Sequence, residues 1–81
     1  MQWPDWWEWE IEVSSHCLKR MSERGFNEID LRAMLDDAEQ IHEQTHGTFL
    51  VATKLNLRPW EVIVTPDDDL RLIVVVTAYP C

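Results

Sequence analysis

The residues whose types and spacing favour chemistry lie in one short segment that begins at His16. A histidine can take and give protons near neutral pH, and arginines one and two helical turns further along can bind a phosphate or stabilise its developing charge. The segment supplies Arg20 and Arg24, with Glu23 between them and Lys19 at the margin of the same face. Such a set could cleave RNA without a metal ion, through attack of the 2′-hydroxyl on its own phosphate.

A purely structural role for the same residues stays open. Arg20 and Arg24 can pair with Glu23 or with other acidic side chains, and His16 can be a helix-start residue without a chemical role. The net charge of −8 supports this alternative, because phosphate neutralisation supplies most of the non-specific affinity for nucleic acids. Within the segment the balance reverses to three cations against one carboxylate, so an anion site is expected there.

Thr77 and Tyr79 form a second candidate pair, at the end of the last predicted strand and on the same side of it. If that strand ends beside the helix that carries His16, the two hydroxyls can orient a phosphate and a base. Tyr79 also offers a face for base stacking. The alternative is an ordinary rim of a sheet.

No metal ion or other cofactor is expected. His42 and His46 could be combined with His16 and Cys17 as a zinc site, but their spacing matches no standard zinc finger. The chain also lacks a glycine-rich phosphate loop, a Cys-x-x-Cys pair and a Gly-x-Ser-x-Gly elbow. These absences argue against nucleotide chemistry, a redox relay and ester hydrolysis.

Periodic patterns place the candidate residues on an α+β fold. Residues 7–14 alternate between apolar side chains and mostly glutamates, which predicts a short edge strand. Ser14 or Ser15 is then expected to cap a helix that runs from His16 to about residue 24 and ends at Gly25. Its core stripe would be Cys17, Leu18 and Met21.

A second helix and a sheet account for the rest of the chain. Asn27 with Asp30 resembles a capping box, and the apolar stripe that follows predicts a helix ending near Glu39. Two helices are thus expected to pack on an antiparallel sheet of about four strands. The strands are predicted near residues 41–45, 48–55, 60–65 and 70–79.

The predicted last strand should lie centrally, because residues 72–76 are apolar at every position. One face of the sheet would carry the helices. The other would be covered by the tryptophan-rich N-terminal arm, residues 1–9, or by a second subunit. The four tryptophans of the arm fit intramolecular cover and a dimer or antitoxin interface equally well; they are Trp3, Trp6, Trp7 and Trp9.

Length and composition bound the setting of the protein. With 81 residues the chain has room for a single domain, residues 1–81, with one core. There is no apolar run of membrane-spanning length, and the acidic start differs from a signal peptide. Together with two cysteines that lack disulfide-framework spacing, this predicts a cytoplasmic protein with no membrane segment.

Two segments carry a resemblance to a known family. Residues 15–26 read S-H-C-L-K-R-M-S-E-R-G-F, and residues 75–80 read V-V-T-A-Y-P. They resemble the signature S-x-H-A-x-x-R-M-x-E-R-G-I and the final strand of a widespread bacterial and phage family of small uncharacterised proteins. The resemblance covers residues 10–80. That family is grouped with the barnase, EndoU, colicin and RelE ribonuclease-like superfamily, which implies a RelE/barnase-like fold.

The resemblance implies metal-independent RNA cleavage by a toxin-type domain. It implies a general base or acid in His16, phosphate binding by Arg20 and Arg24, orientation of these side chains by Glu23, and a hydrogen bond from Thr77 to the phosphate. RNA and a cognate antitoxin would then be partners. The alternative hypothesis is a non-catalytic module that keeps the fold and uses the tryptophan arm or a sheet edge for dimerisation or protein binding.

Overall fold

Local signals in the chain produce two short helices and five strands, and the computed structural model describes them over residues 3–81. The first two residues of the arm, and of the predicted single domain, lie outside the described part. The elements are a 3-10 turn at Asp5–Glu8, β1 at Glu10–Val13, α1 at Ser15–Arg24, α2 at Glu28–Asp36, β2 at Gln40–Thr45, β3 at Thr48–Leu55, β4 at Arg58–Asp67 and β5 at Leu72–Pro80. The α+β class and the two helices are therefore confirmed.

The five strands form one mixed sheet in the order β1-β5-β4-β3-β2. β2 to β5 pair antiparallel, as the short connections predict, whereas β1 pairs parallel to β5. The prediction of an antiparallel sheet of about four strands is therefore wrong on two points: the sheet has five strands, and one of its strand pairs is parallel. Both helices and three strands separate β1 from β5 in the chain, so β1 returns to the sheet by a crossover and not by a hairpin. Its place at the edge is as predicted.

Tight turns connect the antiparallel strands. Gly47 has a φ of +79° in the β2–β3 turn, where its backbone N–H donates to the Glu43 carboxylate. In the β3–β4 turn Asn56 and Leu57 both have positive φ, at 52° and 68°. The Asp67 carboxylate accepts two backbone N–H bonds in the β4–β5 turn. These turns set the register of the whole meander.

Both helices pack on one face of the sheet. The sheet residues of the core alternate with half-buried ones, and α2 is tied to β3 by a hydrogen bond from Thr53 Oγ1 to the Met34 carbonyl. Leu18, expected in the core stripe of α1, is 57% exposed because the helix turns its Cys17 side inward. The buried core consists of Cys17, Phe26, Leu31, Met34, Leu35, Val51, Trp60, Val62, Val64, Ile73, Val75 and Ala78.

The described part of the tryptophan arm, residues 3–9, joins the helices on this same face. Trp7 and Trp9 were expected in the edge strand, but Trp7 lies in the 3-10 turn and the strand begins only at Glu10. The indoles pack on one another and on the core: Trp3 stacks on Trp7 at 4.8 Å between ring centroids, and Trp6 lies 5.0 Å from the Phe49 ring. This packing, which an extended strand could not make, favours the turn.

The opposite face of the sheet is not covered by residues 3–81. It carries Leu50, Ile63, Val74 and Val76, which are half-buried and alternate with the core residues along their strands. Of the two covers expected for this face, the arm is therefore excluded for the described residues. We call this surface the open face.

The helices are short. No helix in the described part of the chain is long and apolar enough to span a membrane.

Candidate functional site

Local capping positions the helix that carries His16. The Ser14 hydroxyl accepts the Cys17 backbone N–H at 3.0 Å, and Gly25 ends the helix in the left-handed conformation with a φ of +70°. Of the two serines considered, Ser14 is the cap. Burial raises the pKa of the Cys17 thiol, and the charge of Arg24 offsets this in part. Cys17 therefore serves as a protonated core side chain under the helix.

α1 lies along the edge of β5 beyond the end of β1, which stops opposite Val75. Ser14 continues the edge contact: its backbone N–H donates to the Val75 carbonyl at 3.1 Å and its hydroxyl donates to the Val76 carbonyl at 3.0 Å. At the other end of the helix, Arg24 Nη1 donates to the Ala78 carbonyl at 2.8 Å. The helix thus satisfies edge carbonyls that a longer β1 would have paired.

The same guanidinium reaches a second residue of the candidate set. Arg24 Nη1 lies 3.4 Å from Thr77 Oγ1. The structure therefore places the end of β5 beside α1, which is the condition under which Thr77 could act with this helix. Only one nitrogen of Arg24 is used in these two contacts.

Arg20 is held by Glu23. Their side chains form a hydrogen-bonded ion pair one helical turn apart. The hydrogen bond from Arg20 is the main reason why the pKa of Glu23 is lowered, and the charges of Lys19 and Arg24 add to the effect. Glu23 therefore stays ionised and orients Arg20 on the exposed face of α1.

His16 and Lys19 are exposed on α1. The His16 ring makes no hydrogen bond to any other residue of the described chain, and no ion pair involves Lys19 there. Three clefts among residues 3–81 lie elsewhere: beside α2, beside β2 and β3, and beside the β4–β5 turn. The His16 side of α1 has no part in them.

Tyr79 has a partner that sequence reasoning missed. Glu61 on β4 lies directly opposite Tyr79, so both side chains point to the open face. The pKa of Tyr79 is raised, mainly by the neighbouring Glu61 carboxylate and next by partial burial. The register of the β4–β5 hairpin was the information needed to find Glu61, and the sequence pattern defines it only loosely, because an extra residue, Val76, bulges between the paired positions.

The histidines lie on different parts of the fold: His42 is in β2, at one edge of the sheet, and His16 is in α1, which packs on β5 near the other edge. In the described residues no three His, Cys, Asp or Glu side chains converge as a metal site would require.

The helix with its Arg, Glu and His residues and the closing strand of the sheet both fall inside a family match. The model of a domain of unknown function, DUF4258, matches residues 13–80. The chain belongs to the DUF4258 family. No curated protein and no solved structure matches it significantly.

The DUF4258 match begins at Val13, the last residue of β1, and ends at the last residue of β5. It therefore includes the candidate site residues of α1, which we call the α1 face, as well as Thr77, Tyr79 and Glu61. The α1 face consists of His16, Lys19, Arg20, Glu23 and Arg24. The tryptophan arm and most of β1 lie before the matched residues. The arm therefore lies outside the DUF4258 match, and its residues Trp6, Trp7 and Trp9 pack against the core.

Proposed function

We propose that this DUF4258 domain is a ribonuclease-like, toxin-type domain that cleaves RNA without a metal ion. One observation carries the proposal: α1 brings Arg24 within 3.4 Å of Thr77 Oγ1. Arg24 and Thr77 are 53 residues apart in the chain, and they lie in contact in the fold. They form a cationic surface on a protein whose net charge is −8.

The proposed chemistry is an internal transfer at phosphorus. The 2′-oxygen of a ribose attacks the adjacent phosphate as its proton leaves, and the bond from phosphorus to the 5′-oxygen breaks, with a proton returned to that oxygen. His16 is the group that exchanges protons. Arg20, held by Glu23, stabilises the charge on the phosphate.

The remaining residues bind and orient the substrate. Arg24 has guanidinium N–H groups beyond those it donates to Ala78 and Thr77, so it can contact a phosphate without releasing β5. Thr77 adds a hydroxyl beside it. Lys19 and Tyr79 would bind the neighbouring phosphate and base.

The test is cleavage of a labelled, mixed-sequence RNA in the presence of EDTA. We expect cleavage by the wild type and a loss of at least about a hundredfold in each of two variants: His16→Ala, which removes the general acid or base, and Arg20→Ala, which removes the charge that stabilises the phosphate. His46→Ala and Arg32→Ala are the matched controls, since each removes the same type of side chain from an exposed position elsewhere on the surface. Intact RNA with the wild type, or equal cleavage by all variants, would refute the proposal.

The second candidate function is a non-catalytic interaction module, and one observation favours it. The open face leaves the apolar side chains of Leu50, Ile63, Val74 and Val76 without cover from residues 3–81. Contiguous apolar surface of this kind is typical of protein interfaces. A second copy of the chain is the proposed partner there, and the mass of the protein in solution tests it.

A further inference from the structure

A cleft of about 260 Å³ lies between the tryptophan arm, β1 and α2. It is on the covered side of the sheet, away from the proposed RNA site. Its volume is below the range typical of pockets for whole small-molecule ligands and suits a single side chain. The lining residues are Trp7, Glu8, Trp9, Ile11, Arg32, Leu35, Asp36 and Ile73.

Aromatic packing holds one wall of the cleft in place. The Trp7 ring stacks on Trp3 at 4.8 Å and packs against the tilted ring of Trp6 at 5.9 Å, both measured between ring centroids. Trp7 and Trp9 remain only half-buried, although both pack against the core. Indole rings that are fixed and partly exposed attract cations through their negative faces.

The charged residues of the cleft leave a negative excess. Glu8 and Asp36 form no ion pair within residues 3–81, and Arg32, the one basic residue that lines the cleft, pairs with Glu28 at 3.7 Å. Two carboxylates therefore face one guanidinium that already has a partner. The surroundings add to this, since residues 3–12 contain three further acidic side chains, Asp5, Glu10 and Glu12, and no basic one.

We propose that this cleft binds the side chain of an arginine from a basic partner peptide. A guanidinium is planar and weakly hydrated, so it can stack on an indole while donating to a carboxylate, which a lysine ammonium does less well. Aromatic walls, unpaired carboxylates and a side-chain-sized volume all fit this occupant. The proposal does not depend on RNA cleavage and involves none of the same residues.

The experiment titrates the ¹⁵N-labelled protein with the capped tripeptide Ala-Arg-Ala and follows the indole N–H resonances. We expect saturable shifts of the Trp7 and Trp9 signals, assigned with Trp7→Phe and Trp9→Phe, at a roughly millimolar Kd. Glu8→Gln and Asp36→Asn should each weaken binding about fivefold, as the loss of one exposed ion pair does. Both side chains are on the surface, so the fold should be retained.

Two controls test whether binding needs the arginine charge of the peptide and whether it needs the carboxylates of this cleft. The tripeptide with norleucine in the position of arginine has a similar length without the charge and should give no saturable shift. Asp68→Asn, in the β4–β5 turn, removes the same charge away from the cleft and should bind like the wild type. Equal shifts with the norleucine peptide, or unchanged affinity in Glu8→Gln and Asp36→Asn, would overturn the proposal.

Discussion

At the scale of single residues, Arg24 has a structural role that the sequence did not suggest. The expected alternatives for it were a phosphate or a nearby carboxylate. Its shortest contact is instead the Ala78 carbonyl, 54 residues further along the chain. Arg20, by contrast, forms the expected pair with Glu23 within its own helix. A local pattern predicts a partner one turn away, and it cannot predict one that the fold brings from another element.

We therefore expect Arg24→Ala to lower the free energy of unfolding by about 1–2 kcal/mol, because an edge carbonyl loses a charge-assisted hydrogen bond. Urea denaturation followed by tryptophan fluorescence measures it. Arg32→Ala serves as the control and should cost less than about 0.5 kcal/mol, since its ion pair with Glu28 is exposed. Equal effects of the two substitutions would contradict the structural role of Arg24.

At the scale of elements, the capping residues predicted where each helix begins and where α1 ends. Ser14 is the N-cap and Gly25 the C-cap of α1, and Asn27 with Asp30 forms the capping box of α2. α2 ends at Asp36, earlier than expected near Glu39, because the Glu39 N–H already bonds to β3 at the Ala52 carbonyl. Sheet pairing therefore decided where the helix ended, while local chemistry decided where it began.

The β3–β4 turn makes an independent prediction. Leu57 has a φ of +68° and is 93% exposed, so a side chain that disfavours this conformation is kept without burial in return. Leu57→Gly would create the Asn-Gly pair that two-residue hairpin turns prefer, and we expect it to stabilise the protein by about 0.5–1 kcal/mol. Thermal unfolding measures this.

Leu70→Gly is the matched control for that turn. Leu70 is likewise exposed, at 65%, but its φ is not positive. Glycine there should not stabilise the fold. A lower melting temperature for Leu57→Gly would show that the positive φ is not the source of strain.

At the scale of the whole molecule, the placement of the helices and the arm decides which face of the sheet is free to bind a partner. Helices and arm all lie on one face, so the open face presents apolar side chains next to Thr77, Tyr79 and Glu61. The charge is also uneven: α1 is cationic, whereas the arm and β1 are acidic. The two candidate functions thus use adjoining surfaces, and the proposed arginine cleft lies apart from both.

If the open face joins two copies, the protein should have twice its monomer mass of 9.6 kDa in solution, measured by light scattering during gel filtration. Ile63→Lys should then yield the monomer, because a charge in an apolar interface is costly to bury. Ile29→Lys is the control, since Ile29 is 78% exposed on α2. A monomeric wild type would refute dimerisation through this face.

The sequence by itself determined the two helices, their caps, the hairpin strands and the α1 face, because these depend on neighbours a few residues apart. The tertiary structure alone decided that β1 pairs parallel with β5, that the arm folds as a turn beside the helices, and that Arg24 meets Ala78 and Thr77. Each of these joins segments far apart in the chain. Such contacts depend on how the elements pack, which periodicity within one element does not encode.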